Sequence, residues 1–408
     1  MYDSRITSSG YFIPMQTDPI VIVSIARTPI GNLLGELKSF AAHQLGSHVI
    51  KATIERAHLK PNDIHEVMMG CILPAGLGQA PARQAAIHAG VPYTTPCTTI
   101  NKVCGSGMKA IMLAHDILLA GSVTTMVAGG MESMTNAPYL LLKARQGYRL
   151  GHNEIYDHMM MDGLEDAYDK GKPMGYFAEQ CAKKLGFSRK QQDDYAISSF
   201  ERAQYATREK LVVAEISPII HQTKEGEKTI ETDEHPFSVN PEKIPKLPPI
   251  FIKDGSVTAG NSSSIADGAA AVVMMRLSEA EKRGIKPIAR IISHHSTANL
   301  PADFPTAPIE TVQQLMSRLK WTTQDIDLFE INEAFAVVTL AAMHALKIPR
   351  EKMNIYGGAC ALGHPIGASG ARIVVSLLAA LQQNGLKRGI ASLCIGGGEA
   401  TAIAVEMY

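Results

Sequence analysis

Short apolar runs alternate with longer stretches of helical periodicity over most of this chain. Residues 20–24 and 66–72 are apolar runs of strand length, whereas residues 41–57 place their apolar side chains on one helix face. A further helix is predicted over residues 81–89. Strands that alternate with helices predict an α/β fold with a largely parallel sheet.

The last third of the chain repeats the plan of the first. Residues 59–67 resemble 321–329, the Gly-Ser-Gly turn at 105–107 with its helix resembles 367–370, and residues 126–130 resemble 393–397. Matches in one order at a nearly constant offset are typical of an internal duplication. The repeat therefore predicts two α/β halves that pack face to face across a pseudo-dyad.

A polar segment rich in methionine and tyrosine separates the two halves, and a charged helix is predicted within it at 189–210. A long excursion outside a repeat is usually functional, so we interpret it as a substrate lid, with a structural or interface role left open. The predicted domains are an N-terminal extension at 1–18, an N-terminal half at 19–133 and 266–286, an inserted loop domain at 134–265, and a C-terminal half at 287–408.

Composition narrows the class of protein. The 408 residues are 46% hydrophobic and carry 39 basic and 39 acidic side chains, a balance that argues against nucleic acid or a membrane surface as the partner. The most apolar run, residues 373–381, is too short to predict a membrane span, and the polar first 18 residues match neither a secretory signal nor a transit peptide. The six scattered cysteines form no C-x-x-C pair, which predicts no metal site and reduced thiols in the cytoplasm.

A cysteine before a helix is the first candidate for chemistry. Cys104 follows a predicted polar turn, residues 94–99, and precedes a predicted helix over 108–120. Unpaired N–H groups at a helix N-terminus stabilise a thiolate, and a reachable thiolate of low pKa is a nucleophile. A lone cysteine is more often inert core, so the assignment depends on other segments.

Three later segments supply matching chemistry, namely Asn-Glu-Ala-Phe at 332–335, the glycine-rich run that contains His364, and Cys-Ile-Gly-Gly-Gly at 394–398. Each ends a predicted strand or opens a helix, and strand carboxyl ends gather at one crevice of such a sheet. Two thiols, an imidazole, an amide and glycine N–H groups suit acyl transfer. One thiolate attacks, the histidine activates it, the second thiol moves a proton, and N–H groups hold an oxyanion.

These segments resemble the signatures of the thiolases: Asn-Lys-Val-Cys-Gly-Ser-Gly, Gly-Gly-Met-Glu-Ser-Met, Asn-Glu-Ala-Phe, Gly-His-Pro-Ile-Gly-Ala-Ser-Gly-Ala-Arg and Cys-Ile-Gly-Gly-Gly. The resemblance is closest to the short-chain acetoacetyl-CoA thiolases (acetyl-CoA acetyltransferases). It implies a duplicated, five-layered α-β-α-β-α fold with an inserted loop domain. It also implies reversible condensation of two acetyl-CoA to acetoacetyl-CoA and CoA, without a cofactor because the coenzyme A thioester is the substrate, in a homotetramer built as a dimer of dimers.

The resemblance assigns roles residue by residue. Cys104 would carry the acyl group, His364 would activate it, and Cys394 would exchange a proton with the α-carbon of acetyl-CoA. The backbone N–H groups of Cys104 and Gly396 would form one oxyanion hole, and His364 with a water held by Asn332 would form the other. Positions that line the pantetheine tunnel or close the acyl pocket in the family match Ser263, Met174, Leu164, Ala259, Phe251, Phe335 and Phe304.

The chain departs from the family pattern at three positions. Pro173 stands where short-chain relatives commonly have histidine, and Glu399 stands where glycine or glutamine is more usual. Cys360 replaces an aliphatic residue and is expected to be core.

Several alternatives stay open. A broader-chain 3-ketoacyl-CoA thiolase of fatty-acid β-oxidation would share every motif above. Residues 105–110 fit G-x-G-x-x-A, a dinucleotide fingerprint, but the predicted turn before them is not the required strand. An oxidoreductase would also leave His364 and Cys394 without a role, as would a non-catalytic CoA-binding scaffold. Ketoacyl synthases share the duplicated fold but place histidine where Cys394 stands.

Overall fold

The computed structural model describes residues 18–224 and 226–408. The predicted N-terminal extension therefore lies outside the described residues except for Asp18. This carboxylate accepts hydrogen bonds from the backbone N–H and the hydroxyl of Ser278, which joins the start of the described chain to the N-terminal half.

The described residues form fourteen strands, which are β1 (Ile20–Arg27), β2 (Gly31–Asn32), β3 (Glu66–Gly70), β4 (Cys97–Ile100), β5 (Thr125–Ser133), β6 (Tyr139–Leu140), β7 (Tyr156–Asp157), β8 (Ile219–Thr223), β9 (Gly226–Ile230), β10 (Ala266–Arg276), β11 (Ala289–Ala298), β12 (Leu328–Ile331), β13 (Arg388–Ile395) and β14 (Glu399–Met407).

Their α-helices are α1 (Ala42–Arg56), α2 (Pro81–His88), α3 (Ser106–Ala120), α4 (Met174–Leu185), α5 (Arg189–Arg208), α6 (His235–Ser238), α7 (Leu277–Lys282), α8 (Ala307–Leu319), α9 (Ala336–Leu346), α10 (Ala359–Leu362) and α11 (Ile366–Gln383). The predicted turn at residues 94–99 is too long: the chain turns at 93–95 but enters β4 at Cys97, at the edge of the sheet. Thr98 is exposed and the other three residues of β4 are only partly buried, so the strand has no buried apolar face that a hydrophobicity pattern could detect.

The predicted duplication is confirmed by strand order. The N-terminal half is ordered β4-β3-β5-β10-β1 and the C-terminal half β12-β13-β14-β11. A parallel bridge from Met353 to Phe329 of β12 occupies the place that β4 has in the first half. The two half-sheets meet where β1 pairs with β11 over only two residue pairs.

The prediction of a largely parallel sheet is wrong. Among the named strands of the described chain, parallel pairing occurs in β3–β4, β3–β5 and β12–β13, and the other neighbouring strands of the large sheet run antiparallel. The last strand of each half returns beside its predecessor. In the second half the return is a tight turn that requires positive φ at Gly397 and Gly398.

Five layers result, with α3 and α11 between the half-sheets, α1 and α2 on the outer face of the N-terminal half, and α8 and α9 on that of the C-terminal half. The central helices cross very closely. A Cβ atom on Gly107 would lie 2.8 Å from the Ala371 nitrogen, and one on Gly370 would lie 2.5 Å from the Met108 nitrogen. Glycine at both positions is therefore a condition of this packing.

Two segments of the described chain, Val103–Ala120 and Ile366–Gln383, are long and apolar enough to cross a membrane, contrary to the expectation from sequence. They are the two central helices, and 89% of Ile366–Gln383 is buried inside the protein. Their apolar character is explained by contact with sheets on both sides.

Buried polar contacts attach the segment between β5 and β10 to both halves. Arg27 of β1 pairs with Glu215 at 2.8 Å and with Asp233 at 2.7 Å, and all three side chains are buried. On the other side, Glu333 accepts hydrogen bonds from the Tyr195 hydroxyl at 2.8 Å and from Ser199 at 2.7 Å, both on α5. The inserted segment is thus fixed beside the Asn-Glu-Ala-Phe turn, while its exact boundaries remain a prediction.

Candidate active site

The turn that carries Cys104 has an unusual backbone. Val103 has a φ of +45°, a conformation that a β-branched residue rarely adopts. Ser106 holds the turn closed, because its Oγ accepts from the Lys102 N–H at 2.7 Å and donates to the Val103 carbonyl oxygen at 2.7 Å. Strain that the surrounding structure maintains in this way is typical of functional turns.

The same turn packs against the end of β13. A Cβ atom on Gly105 would lie 2.4 Å from Ile395 Cδ1, so any larger residue at 105 would require the Ile395 side chain to move. Lys102 forms an ion pair with Glu399 across this contact. Glu399, one of the departures from the family pattern, therefore ties the C-terminal half to the cysteine turn.

Cys104 is half-buried as a residue, but its thiol is enclosed by protein. Burial raises the pKa of this thiol to about 11, although the backbone N–H groups of Gly396 and Cys104 act in the opposite direction. The predicted low-pKa thiolate is therefore wrong for the free protein, because desolvation outweighs the helix N-terminus. The N–H groups of Gly396 and Cys104 both act on this thiol, and their predicted role as an oxyanion hole stays a prediction.

Cys394 lies at the end of β13 and is fully buried. Burial raises the pKa of its thiol well above the ordinary value, and the neighbouring Cys104 raises it further. The two sulfurs therefore share one environment, in which Cys394 is a protonated thiol near neutral pH.

One ring nitrogen of His364 is hydrogen-bonded, and the other has no partner among the described residues. Its Nδ1 lies 2.5 Å from Ser369 Oγ, whose single hydrogen is donated to the Pro365 carbonyl oxygen at 2.9 Å. Ser369 must then accept from Nδ1–H, which leaves a lone pair on Nε2. Nε2 is buried without a partner, and burial together with the positive charge of Arg372 lowers the imidazole pKa to about 3. His364 is thus a neutral base.

Asn332 has the same arrangement of one fixed and one free atom. Its Oδ1 accepts from Arg372 Nη2 at 3.2 Å, whereas its Nδ2 is buried without a partner among the described residues. Buried polar atoms without partners are uncommon and need an explanation. Free atoms on His364 and Asn332 suit the second predicted oxyanion hole, in which Asn332 holds a water.

Comparison with protein-family models identifies the family of this chain. The chain matches the thiolase N-terminal domain over residues 20–278 and the thiolase C-terminal domain over residues 285–407. The chain belongs to the thiolase family.

Similar thiolases include enzymes from different cell compartments. The chain is 46% identical to acetyl-CoA acetyltransferase 1 of Arabidopsis thaliana, over 96% of this chain and 95% of the relative. It is 44% identical to the cytosolic acetyl-CoA acetyltransferase of Mus musculus, over 96% of this chain and 98% of the relative. It is 45% identical to the mitochondrial acetyl-CoA acetyltransferase of Rattus norvegicus, over 100% and 95%.

Solved thiolase structures share the whole fold. The Acat5 thiolase from Ascaris suum in complex with coenzyme A superposes with a TM-score of 0.90 at 40% identity, over 96% of this chain and 100% of that chain. The Bacillus anthracis acetyl-CoA acetyltransferase gives a TM-score of 0.93 at 38% identity, over 96% of this chain and 99% of that chain.

Most of the predicted substrate-binding residues of this thiolase lie around the two cysteines. Four of them pack in one apolar cluster with Cys394, namely Met174, Phe251, Phe335 and Phe304. Leu164 packs with Cys104 in a second cluster. Ser263 is half-buried and donates to the Ala334 carbonyl oxygen at 3.0 Å, and Ala259 is exposed. Their roles toward coenzyme A remain predictions.

Sequence reasoning missed three residues that organise the site. Ser369 and Arg372 orient His364 and Asn332, and Glu132 accepts from the N–H groups of Ile72 at 3.0 Å and Gly367 at 2.9 Å. Burial raises the Glu132 pKa to about 7. All three stand inside the signature motifs, so the signal was available, but their partners become visible only in three dimensions.

The dinucleotide alternative does not fit the packing. A strand does precede the G-x-G-x-x-A motif, contrary to expectation, but the fingerprint glycines have no free space beside them. Ile395 fills the space beside Gly105, and the backbone of Gly367 and Ala371 fills that beside Gly107. A pyrophosphate needs this space, so these glycines serve helix packing.

We predict that Ser369→Ala slows alkylation of Cys104 by iodoacetamide near neutral pH. His364 would lose the group that fixes its tautomer and direction. Removal of such a partner costs ~10–100-fold at metal-bound histidines, and we expect a loss of the same order here. Peptide mass spectrometry of the Cys104 peptide measures the rate. Ser376→Ala is the matched control, because Ser376 is on the same helix and its buried hydroxyl has no partner. Equal rates in wild type and Ser369→Ala would contradict the assignment.

Proposed function

We propose that this thiolase is an acetyl-CoA C-acetyltransferase, which condenses two acetyl-CoA to acetoacetyl-CoA and CoA or runs the reverse thiolysis. The observation that carries the proposal is the pair of enclosed thiols, Cys104 and Cys394, with the Gly396 N–H directed at the Cys104 sulfur. The names of the relatives support the choice of substrate. Coenzyme A is part of the substrate, and the proposal includes no other cofactor.

The first half-reaction forms a thioester on Cys104. Its sulfur attacks the carbonyl carbon of acetyl-CoA while its proton passes to His364 Nε2. Because the His364 pKa is only about 3, proton transfer and carbon–sulfur bond formation need to be concerted. The carbonyl oxygen becomes an oxyanion between the N–H groups of Cys104 and Gly396. The C–S bond to coenzyme A breaks, and Cys394 protonates the departing thiolate.

The second half-reaction forms the carbon–carbon bond. Cys394, now a thiolate, removes a proton from the α-carbon of a second acetyl-CoA. The enolate oxygen is held by His364 Nε2–H and by a water on Asn332 Nδ2. The enolate carbon attacks the acetyl thioester, Cys104 leaves as a thiolate, and it recovers its proton from His364. Both cysteines and the histidine end as they began.

We predict that Cys394→Ala separates the two half-reactions. Acetylation of Cys104 should persist, because the thiolate of coenzyme A can leave without a proton. Condensation should fall by ~10²–10⁴-fold, since the base for the α-carbon is missing. Cys104→Ala should abolish both steps. Intact mass after incubation with acetyl-CoA, beside an acetoacetyl-CoA assay, measures the two effects.

Cys360→Ala serves as the control for these variants, because Cys360 is buried beside Glu333 and the mechanism does not use it. It should keep both steps. An acetyl adduct on Cys104→Ala, or none on Cys394→Ala, would reverse the roles given to the two cysteines.

The alternative of a broad-chain thiolase is tested by chain length. Phe304 is buried against Phe177, and Met174 Sδ lies 3.4 Å from the position of a Cβ on Gly396, so bulky groups close the site. We predict that kcat/KM is higher for the four-carbon than for the eight-carbon 3-ketoacyl-CoA by ~10-fold or more. Met174→Ala should reduce this preference, whereas Met316→Ala in the outer cluster should not. Equal values in the wild type would favour the alternative.

We propose assembly as a homotetramer. The edge of the sheet at β4 offers unpaired backbone groups to a second copy. Apolar side chains of the inserted segment, such as Leu150 and Ile155, are exposed and suit pairing of dimers. Light scattering at micromolar concentration should give four times the chain mass, and a monomer mass would exclude both contacts.

We propose the cytoplasm as the location. The six cysteines are free, as a reducing compartment requires. The similar enzymes include both a cytosolic and a mitochondrial form, so cell fractionation decides between the two.

A further inference from the structure

Two histidines and an aspartate meet on the surface where the two halves join. His115 and Asp116 are neighbours on α3, and His294 extends from β11. Asp116 Oδ1 lies 3.0 Å from His115 Nδ1 and 2.9 Å from His294 Nε2. The three donor atoms all lie within 4.8 Å of one another. His294 lies far from His115 and Asp116 in sequence, so no local pattern marks the cluster, and no metal site was predicted from the sequence.

We propose that His115, Asp116 and His294 bind a divalent cation of the zinc class. Nitrogen and carboxylate ligands hold zinc at ~2.0–2.2 Å, so a tetrahedral ion separates its ligands by ~3.3–3.6 Å. The distances from Asp116 to the two rings, 3.0 and 2.9 Å, are slightly shorter, and all three donor atoms lie within 4.8 Å. Two imidazoles and a carboxylate suit Zn²⁺ or Co²⁺, whereas Mg²⁺ and Ca²⁺ need mainly oxygen ligands.

The burial of the three residues suits such an ion. The His115 side chain is 7% exposed and that of His294 is 17% exposed, so the rings are held in place, while Asp116 at 51% leaves one side open to water. The rings lie 5.0 Å apart between centroids and nearly perpendicular, at 88°. They can therefore direct nitrogens at one ion while water completes its coordination.

A bound ion would link the central helix of the N-terminal half to the first strand of the C-terminal half. Because α3 begins beside Cys104, the ion would also stabilise the helix that positions the proposed nucleophile. A ligand that binds only the folded state raises its thermal stability. The inference does not depend on the proposed reaction, since it concerns a different face of the molecule.

His295 provides a matched control on the same strand. Its Nε2 lies 2.7 Å from Gln314 Oε1, and its Nδ1 accepts from Arg318 Nη2 at 3.2 Å. It therefore faces α8, on the opposite side of β11 from Asp116. Replacing it removes an equally accessible imidazole without removing a proposed ligand.

The test is equilibrium dialysis of the chelator-treated full chain against Zn²⁺, with metal analysis and a thermal melt. Wild type and His295→Ala should each bind one more Zn²⁺ per chain than His294→Ala or Asp116→Asn. Zn²⁺ at this site should raise the Tm of wild type and His295→Ala but not that of the other two variants. Loss of a ligand should weaken this site by ~100-fold or more, since loss of a partner behind a ligand already costs ~10–100-fold.

A Co²⁺ titration separates this site from the crevice thiols, because an imidazole–carboxylate site gives visible d–d bands without thiolate charge transfer. Equal Zn²⁺ stoichiometry in wild type, His294→Ala and Asp116→Asn would overturn the proposal and leave a hydrogen-bonded His-Asp-His cluster. If His294→Ala does not fold, the nearly isosteric Asp116→Asn decides the outcome by the same comparison.

Discussion

The structure depends on how closely the two central helices approach each other and the sheet. A Cβ atom on Gly130 of β5 would lie 2.0 Å from the Gly367 carbonyl oxygen, and Gly107 and Gly370 allow equally close contact between α3 and α11. Larger residues would separate the halves by about a side chain's width. The beginnings of both helices would then move apart, and with them the turn that holds Cys104 and the loop that holds His364.

Close packing also sets the chemistry. Enclosure of the crevice raises the pKa of both thiols and lowers that of His364, so the free protein holds neutral groups where an isolated Cys–His pair could form an ion pair. Charge then develops only when a substrate arrives, beside N–H groups and amides that are already in position. Burial raises the pKa of the Cys104 thiol and makes it a weaker acid. The N–H donors that are already in position stabilise the charge that develops in the transition state.

The duplication predicted the fold, because it is a local pattern that can be recognised along the chain. The motifs predicted that Cys104, His364, Asn332 and Cys394 meet at one crevice, since each follows a strand or precedes a helix, and the roles given to these residues stay predictions. Prediction from sequence failed where the answer depends on contacts between distant segments. The edge strand β4 lacks a buried face, the thiol pKa depends on enclosure by the other half, and His294 meets Asp116 only after the halves have joined.

The proposed chemistry requires that Cys104 and Cys394, which come from different halves, face one another in a single crevice. A short bifunctional thiol reagent, followed by peptide mass spectrometry, measures whether they do. We expect one dominant bridge between the Cys104 and Cys394 peptides, formed under native conditions and suppressed by coenzyme A. A bridge from Cys104 to another cysteine, or modification of both cysteines without any bridge between them, would contradict it.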